Sequence, residues 1–428
     1  MLTFALFAAL LILLVLDVPI AVAIGLTAVG VFLLEDKASL LVMLPQRMYS
    51  GTTGFTLIAI PYFVLAGNLM NNSGITRRIF RFAKALVGHI AGGLGQVSVL
   101  SSMIFSGMSG SAVADAVGMG QVQYKSMADD GYPKPLSAAI VASANCIGPV
   151  IPPSIPFVLY SAVTSVSLSR LFLAGFIPGL LMGLTMMLAI ALVARFRRLP
   201  SSERASVEEL VESTRGALLP LLAPLIIIGG ILSGLFTPTE AAVLVTLYSL
   251  ILGFAYGDLR LAQLPDIIFD SIKQSAGLLF IMAAANFFGW LLIHQRIPDL
   301  LIHSAISSGA SPASVLSMIV GIVVILGCFL EGNAIFLITL PIFIPIAHLF
   351  GIDLINLGVV MTLLVMIGNI TPPVGMCLFA VDSYSRTGVW LLARECLPFA
   401  LGILAVTLLI AFVPQISLFL PDLFMPLK

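Results

Sequence analysis

Nearly charge-free apolar stretches of roughly twenty residues or more recur along the whole chain, each long enough to cross a bilayer as a helix. A stretch of that kind needs either a deep protein core or lipid around it, and composition decides between them. Of 428 residues, 60% are apolar and 9% charged. Soluble domains carry about 25% charge and use it to cover their surfaces. Lipid is therefore the solvent, and the expected fold class is an all-α, polytopic helical membrane bundle. A net charge of zero and the lack of a basic stripe give no footprint for nucleic acid. The N-terminal MLTFALFAALLILLVLDVP lacks a basic leader and reads as a retained first helix. Cys146, Cys328, Cys377 and Cys396 lie in or beside apolar stretches without CxxC spacing, and read as small buried hydrophobes.

Apolar runs between charged or Pro/Gly breaks place spans at 2–34, 52–70, 135–160, 171–196, 217–235, 239–255, 275–293, 354–381 and 397–420. Two further regions, 93–122 and 312–350, carry polar residues in their middles and read as re-entrant hairpins. Lys and Arg resist translocation, which tests the map. With the N-terminus inside, loops 71–92, 123–134, 197–216, 256–274 and 382–396 face the cytoplasm. With Arg195 at a boundary, they hold fifteen of the twenty basic residues; Lys37, Arg47, Arg170, Arg296 and Lys428 fall outside. Making either hairpin a single span would invert everything beyond it and weaken this asymmetry. The polar stretch 200–216, where Ser206 and Glu209 resemble a capping box, is expected to be a linker with a short surface helix.

That linker separates two similar halves. At an offset of 224 residues Phe105 falls on Phe329, Asn145 on Asn369 and Pro149 on Pro373. FSGMSGSAVAD (105–115) and FLEGNAI (329–335) lie within the hairpins. SANCIGPVIPPS (143–154) and GNITPPVG (368–375) interrupt the spans that follow them. The expected organisation is one transporter domain with a first repeat at 52–196, scaffold helices at 217–260 and a second, inverted repeat at 270–420. Broken apolar segments at matching places in two halves mark a transport site. In hydrocarbon an unpaired N–H or C=O costs several kcal/mol, so breaks persist only where protein, water or ligand satisfies them. Pro149, Pro152, Pro153, Pro372 and Pro373 remove donors and free carbonyls. Those carbonyls, with Ser, Thr and Asn oxygens, suit a small cation; helix N-termini at the hairpin tips suit an anion.

Ionisable residues at membrane depth are candidates for function. Asp115 and Glu331, at the hairpin tips, either favour a cation or fix the loops by accepting backbone N–H bonds. Asp17 reads as a local polar kink, Glu240 as a first-turn residue, and His294 and His348 as interfacial. No Lys or Arg falls deep in a proposed span, so an anion would be met by dipoles, amides, hydroxyls and bound cations. Enzyme readings find little support: the four histidines lie in loops or at borders, Gly257-Asp258 is a lone Gly-Asp pair, and no GxxxxGK[ST] pattern occurs. Paired opposed hairpins suit alternating access better than a continuous pore.

IPYFVLAGNLMNNSGITRRI (60–79), SGSAVADAVGMG (109–120), IGPVIPPS (147–154), FTPTEAA (236–242) and GNITPPVG (368–375) resemble the large membrane subunit of the tripartite ATP-independent periplasmic (TRAP) transporters, over nearly the whole chain. The resemblance implies an elevator-type transporter in the cytoplasmic membrane with sodium as coupling ion and no other cofactor. It also implies a separate small four-helix membrane subunit and a periplasmic binding protein that delivers an organic acid. It places one sodium site at Ser109, Ser111, Asn145, Gly148 and Pro149, and another at Gly332, Asn333, Gly368, Asn369, Thr371 and Pro372. Solute is expected near Ser109, Gly110, Ser154, Asn333 and Gly375, between tips and breaks. A stand-alone sodium–anion symporter of related architecture is the alternative, with an intramembrane hydrolase behind it.

Overall fold

The structure, a computed structural model, describes residues 2–16, 18–307 and 309–426. It is helical, without a strand among the described residues. Seven helices are long and apolar enough to cross a membrane, or eight if Ala38–Ser50 and Phe55–Asn72, bent by 56°, form one span. The expected spans at 171–196, 239–255 and 275–293 are met by helices Leu168–Arg197, Pro238–Ala255 and Leu264–His294. Thr237 starts the second of these with a reciprocal capping box, in which Glu240 accepts from the Thr237 N–H at 2.7 Å.

Other expected boundaries are corrected. The segment 2–34 is two helices, Leu2–Val15 and Ile20–Leu34, packed on each other, because Pro19 cannot continue the first. Asp17 lies outside the described residues. The segment 52–70 is a short 3-10 turn followed by helix Ala59–Asn72. The polar linker does not hold a separate surface helix. Ser206 accepts from the Glu209 N–H at 3.1 Å, and the helix begun there runs unbroken from Val207 to Leu232. Acidic Glu208 and Glu209 favour that start, and no proline intervenes before Pro220. The segment 397–420 begins earlier, as Val389–Phe412, and turns at Pro414 into Gln415–Phe424.

Both hairpins form. The first runs down Gly93–Ser109, turns at Gly110 with φ +65°, and returns through Ala112–Val117 and Met119–Asp129, past the expected end at 122. The second runs down Pro312–Phe329 and returns as Gly332–Leu349. Each is followed by an interrupted helix: Lys134–Asn145 with Ile155–Thr164, and Leu354–Gly368 with Met376–Ser385. The order hairpin, interrupted helix, long helix thus occurs in both halves.

The basic loops meet on one face. Asp258 binds Arg77 at 2.6 Å and Arg78 at 3.1 Å, Arg81 binds Glu212 at 3.0 Å, and Arg197 binds Glu395 at 2.9 Å. These pairs are partly exposed and each is worth at most about 1 kcal/mol. They nevertheless bring together loops that charge alone had assigned to one side. Packing at depth depends on small residues. Where the first arm of the second hairpin crosses the second interrupted helix, a Cβ on Gly368 would lie 2.8 Å from the Gly327 Cα. Gly321, on the same arm, faces open space.

Gly368→Val should therefore lower the unfolding temperature in a detergent thermal-shift assay, by an overpacking cost of about 1–3 kcal/mol. Gly321→Ala should be neutral or slightly stabilising, by up to about 1 kcal/mol. Equal effects from the two would refute the crossing.

Candidate functional site

Each hairpin tip closes on the interrupted helix that follows it. In the first half the Ile155 N–H donates to the Gly110 carbonyl at 3.4 Å. A Cβ on Gly110 would lie 2.8 Å from the Pro153 carbonyl oxygen, and its left-handed φ also demands glycine. The Ser111 hydroxyl accepts from the Ala114 N–H at 3.4 Å and so caps the returning arm, while the Ser109 hydroxyl accepts from the Ser111 N–H at 3.4 Å. Asp115 is buried one turn further on. Its Oδ2 lies against Gly148, where a Cβ would come within 2.9 Å, and its Oδ1 has no hydrogen-bond partner. A buried oxygen of this kind is costly unless something else binds it.

Asn145, expected at the first sodium site, has its side chain engaged by protein groups. Its Oδ1 accepts from the Ser102 hydroxyl at 3.1 Å, and its amide donates to the Val141 carbonyl at 2.9 Å and to Gln123 Oε1 at 3.4 Å. Gln123 in turn donates to the Ser98 carbonyl and to the Ser101 and Ser102 hydroxyls, at 3.0–3.1 Å. The Asn145 backbone carbonyl accepts from the Gly148 N–H at 3.1 Å. The Pro149 carbonyl is also engaged, by the Ser154 hydroxyl, which accepts from the Phe157 N–H at 3.2 Å. Ser154, expected beside solute, is thus the fully buried cap of the second half-helix. These carbonyls keep a second lone pair for a ligand. The Gln123 network was missed from sequence. Its signal was the spacing of Ser98, Ser101 and Ser102, which share one helix face.

In the second half the Val374 N–H donates to the Cys328 carbonyl at 3.1 Å, tying break to hairpin as in the first. Glu331 caps the returning arm, accepting from the Ala334 N–H at 3.2 Å and the Asn333 amide at 2.6 Å. Of the two roles open to it, loop fixing is the one the geometry shows. Gly332 is packed tightly, since a Cβ there would run into the Val365 side chain. The Thr371 hydroxyl donates to the Ile367 carbonyl at 2.7 Å, and the Asn369 carbonyl accepts from the Cys377 N–H at 3.0 Å. The Asn369 amide donates to the Met366 sulfur at 3.8 Å, a weaker tie than those of Asn145. Gly375, at φ +22°, starts the second half-helix after Pro372-Pro373.

The register between halves also changes. Pro152-Pro153 and Pro372-Pro373 stand just before the restarted helices, so by position Pro373 matches Pro153 and not Pro149. Six residues separate Asn145 from Pro152, but two separate Asn369 from Pro372. The first break carries the extra residues, including Gly148 and Pro149, and a single offset of 224 cannot serve both ends. The two junctions share one core. The Tyr384 hydroxyl donates to the Ala116 carbonyl at 3.0 Å, and the Cys146 and Cys377 sulfurs lie 3.9 Å apart. The structure therefore joins Gly110 to Pro153 and Ile155 and Asp115 to Gly148 in the first half, and Cys328 to Val374, Gly332 to Val365 and Gly327 to Gly368 in the second, while Asn145 is turned into the Ser102 and Gln123 network.

Comparison with known proteins follows from this architecture. The profile of the family described as tripartite ATP-independent periplasmic transporter, DctM component, matches residues 7–416. The chain is 42% identical over 381 residues to the sialic acid TRAP transporter large permease protein SiaM of Vibrio cholerae, covering 89% of both chains. It is 41% identical over 377 residues to the C4-dicarboxylate TRAP transporter large permease protein DctM of Pseudomonas aeruginosa, covering 88% of both. The crystal structure of the YdaH transporter of Alcanivorax borkumensis has a similar fold, with a TM-score of 0.62 at 18% identity, over 88% of this chain and 89% of that one. The chain belongs to the DctM family, the large permease component of the TRAP transporters, and is a multi-pass membrane transport protein and not an enzyme.

Proposed function

We propose that this large permease carries a small organic acid inward, coupled to sodium and delivered by a periplasmic binding protein. The observation that carries this reading is the repeated tip-on-break bond, Ile155 to Gly110 and Val374 to Cys328. Each holds unwound backbone where carbonyls and hydroxyls converge, and such oxygens are hard ligands for a small cation. The oxygen left open on Asp115 adds a further unpaired oxygen at the first junction. Relatives named for sialic acid and for C4-dicarboxylates support an organic acid as solute. A relative's designation as a large permease supports a separate small membrane subunit as partner. In this reading the hairpins and interrupted helices move together, as an elevator, against the scaffold helices. The halves are inverted repeats, and the N-terminus and the basic face are cytoplasmic.

Proteoliposomes holding the permease, its small subunit and the binding protein should accumulate solute only under an inward sodium gradient. Uptake indifferent to sodium would end the coupling claim, and uptake without the binding protein would favour a stand-alone symporter. Asn369→Ala should weaken the sodium titration while leaving thermal stability nearly unchanged. Asn145→Ala should also cost about 1–3 kcal/mol of stability, because it strands Ser102 and Gln123. Wild-type sodium titrations in both variants would refute those ligands. A cysteine placed at the exposed Arg204 should react with membrane-impermeant maleimide only in inverted vesicles; labelling of intact cells would overturn the orientation.

A further inference from the structure

A crevice of about 370 Å³ lies between the Leu264–His294 helix and the returning arm of the second hairpin, and none of the junction residues lines it. It sits toward the His294 end of that helix, opposite the end that joins the basic face at Arg260. Leu337, Pro341 and Pro345 give it apolar walls, and Arg47 is the one charged residue among its described lining. Arg47 takes part in no salt bridge among the described residues, and its Nε is buried without a hydrogen-bond partner. Arg78, Arg170 and Arg197, by contrast, each bind a carboxylate.

The guanidinium is held in place. Its carbon lies 5.5 Å from the centre of the Trp290 ring. Trp290 is fixed by the rings of Phe32, Phe287 and His294, at 5.2, 5.8 and 5.7 Å. The helix carrying Arg47 reaches that wall because Gly51 follows it: a Cβ there would lie 2.6 Å from the Asn286 Cβ. A guanidinium resting on an aromatic face keeps its N–H edge for a planar bidentate acceptor. A buried donor without a partner is costly, so an anion is stabilised there beyond ordinary surface attraction. The volume is that of a small-molecule site.

We propose that this crevice binds small organic carboxylates through Arg47, as a station distinct from the two tip–break junctions. The choice of carboxylate over other anions rests on the organic-acid reading above; the crevice and its guanidinium do not.

The chain has two tryptophans, so Trp390→Phe leaves Trp290 as the only emitter, directly beneath Arg47. The purified full chain with this substitution, in phosphatidylcholine nanodiscs, is titrated with succinate as its choline and its sodium salt. A saturable emission change is expected, equal in the two salts and weakened at least about tenfold by Arg47→Gln. Arg47→Lys should keep part of it; equal loss in both variants would assign the effect to packing and overturn the proposal. No saturable change with Arg47 intact, or a change untouched by Arg47→Gln, also overturns it. Nanodiscs of phosphatidylglycerol separate the sources: a response abolished there gives the guanidinium to lipid phosphate and overturns the organic-acid assignment. A succinate response that persists while proteoliposome uptake is absent supports the crevice and refutes the transport reading instead.

Discussion

Backbone polar groups have no water to turn to at membrane depth, so a helix that stops there must be closed by something else in the protein. This constraint explains why hairpins and interrupted helices come as pairs. Ser111, Ser154 and Glu331 each cap a helix that restarts inside the bundle. Further groups are closed across the junctions, by the bonds Ile155 to Gly110 and Val374 to Cys328. Neither element satisfies its own backbone alone. The tip needs the break, and the break needs the tip.

Within that shared plan the halves are chemically unlike. At the first junction the capping is done by serine, which leaves the neighbouring, buried Asp115 with an unpaired oxygen. At the second, Glu331 is itself the cap, and its charge is spent on the loop. Asn145 ties its interrupted helix into the Ser102–Gln123 network, whereas the Asn369 side chain donates to a methionine sulfur. One half-site is built on a rigid polar core and the other on a lighter frame.

Several features were legible because they depend on local chemistry. The proline and glycine clusters at 147–153 and 371–375 broke helices where expected, since proline lacks a donor wherever it sits. The basic loops met on one face, as their charge required. Other features were not legible. Within residues 2–34 the Asp17-Val-Pro19 signal read as a kink inside one span and not as a fold-back, because both arms are apolar. The helix from Val207 to Leu232 crosses from polar to apolar sequence without a break, and hydropathy reads that change as a boundary. The partners of Asn145 were not legible because Ser102 and Gln123 lie on the two hairpin arms and Asn145 on the interrupted helix that follows them.

The sequence by itself determined the solvent, the helical class, the places where helices stop and the face that carries positive charge. These follow from transfer energies and backbone donors, which each residue brings with it. Tertiary structure decided which broken ends meet, which oxygens are already paired and which are left open. It also set Arg47 on Trp290, two residues from opposite halves of the chain. The physical reason is that pairing is a property of neighbours. A carboxylate, an amide or a guanidinium has the same chemistry in any sequence, and only the fold decides whether its partner is another side chain or a ligand.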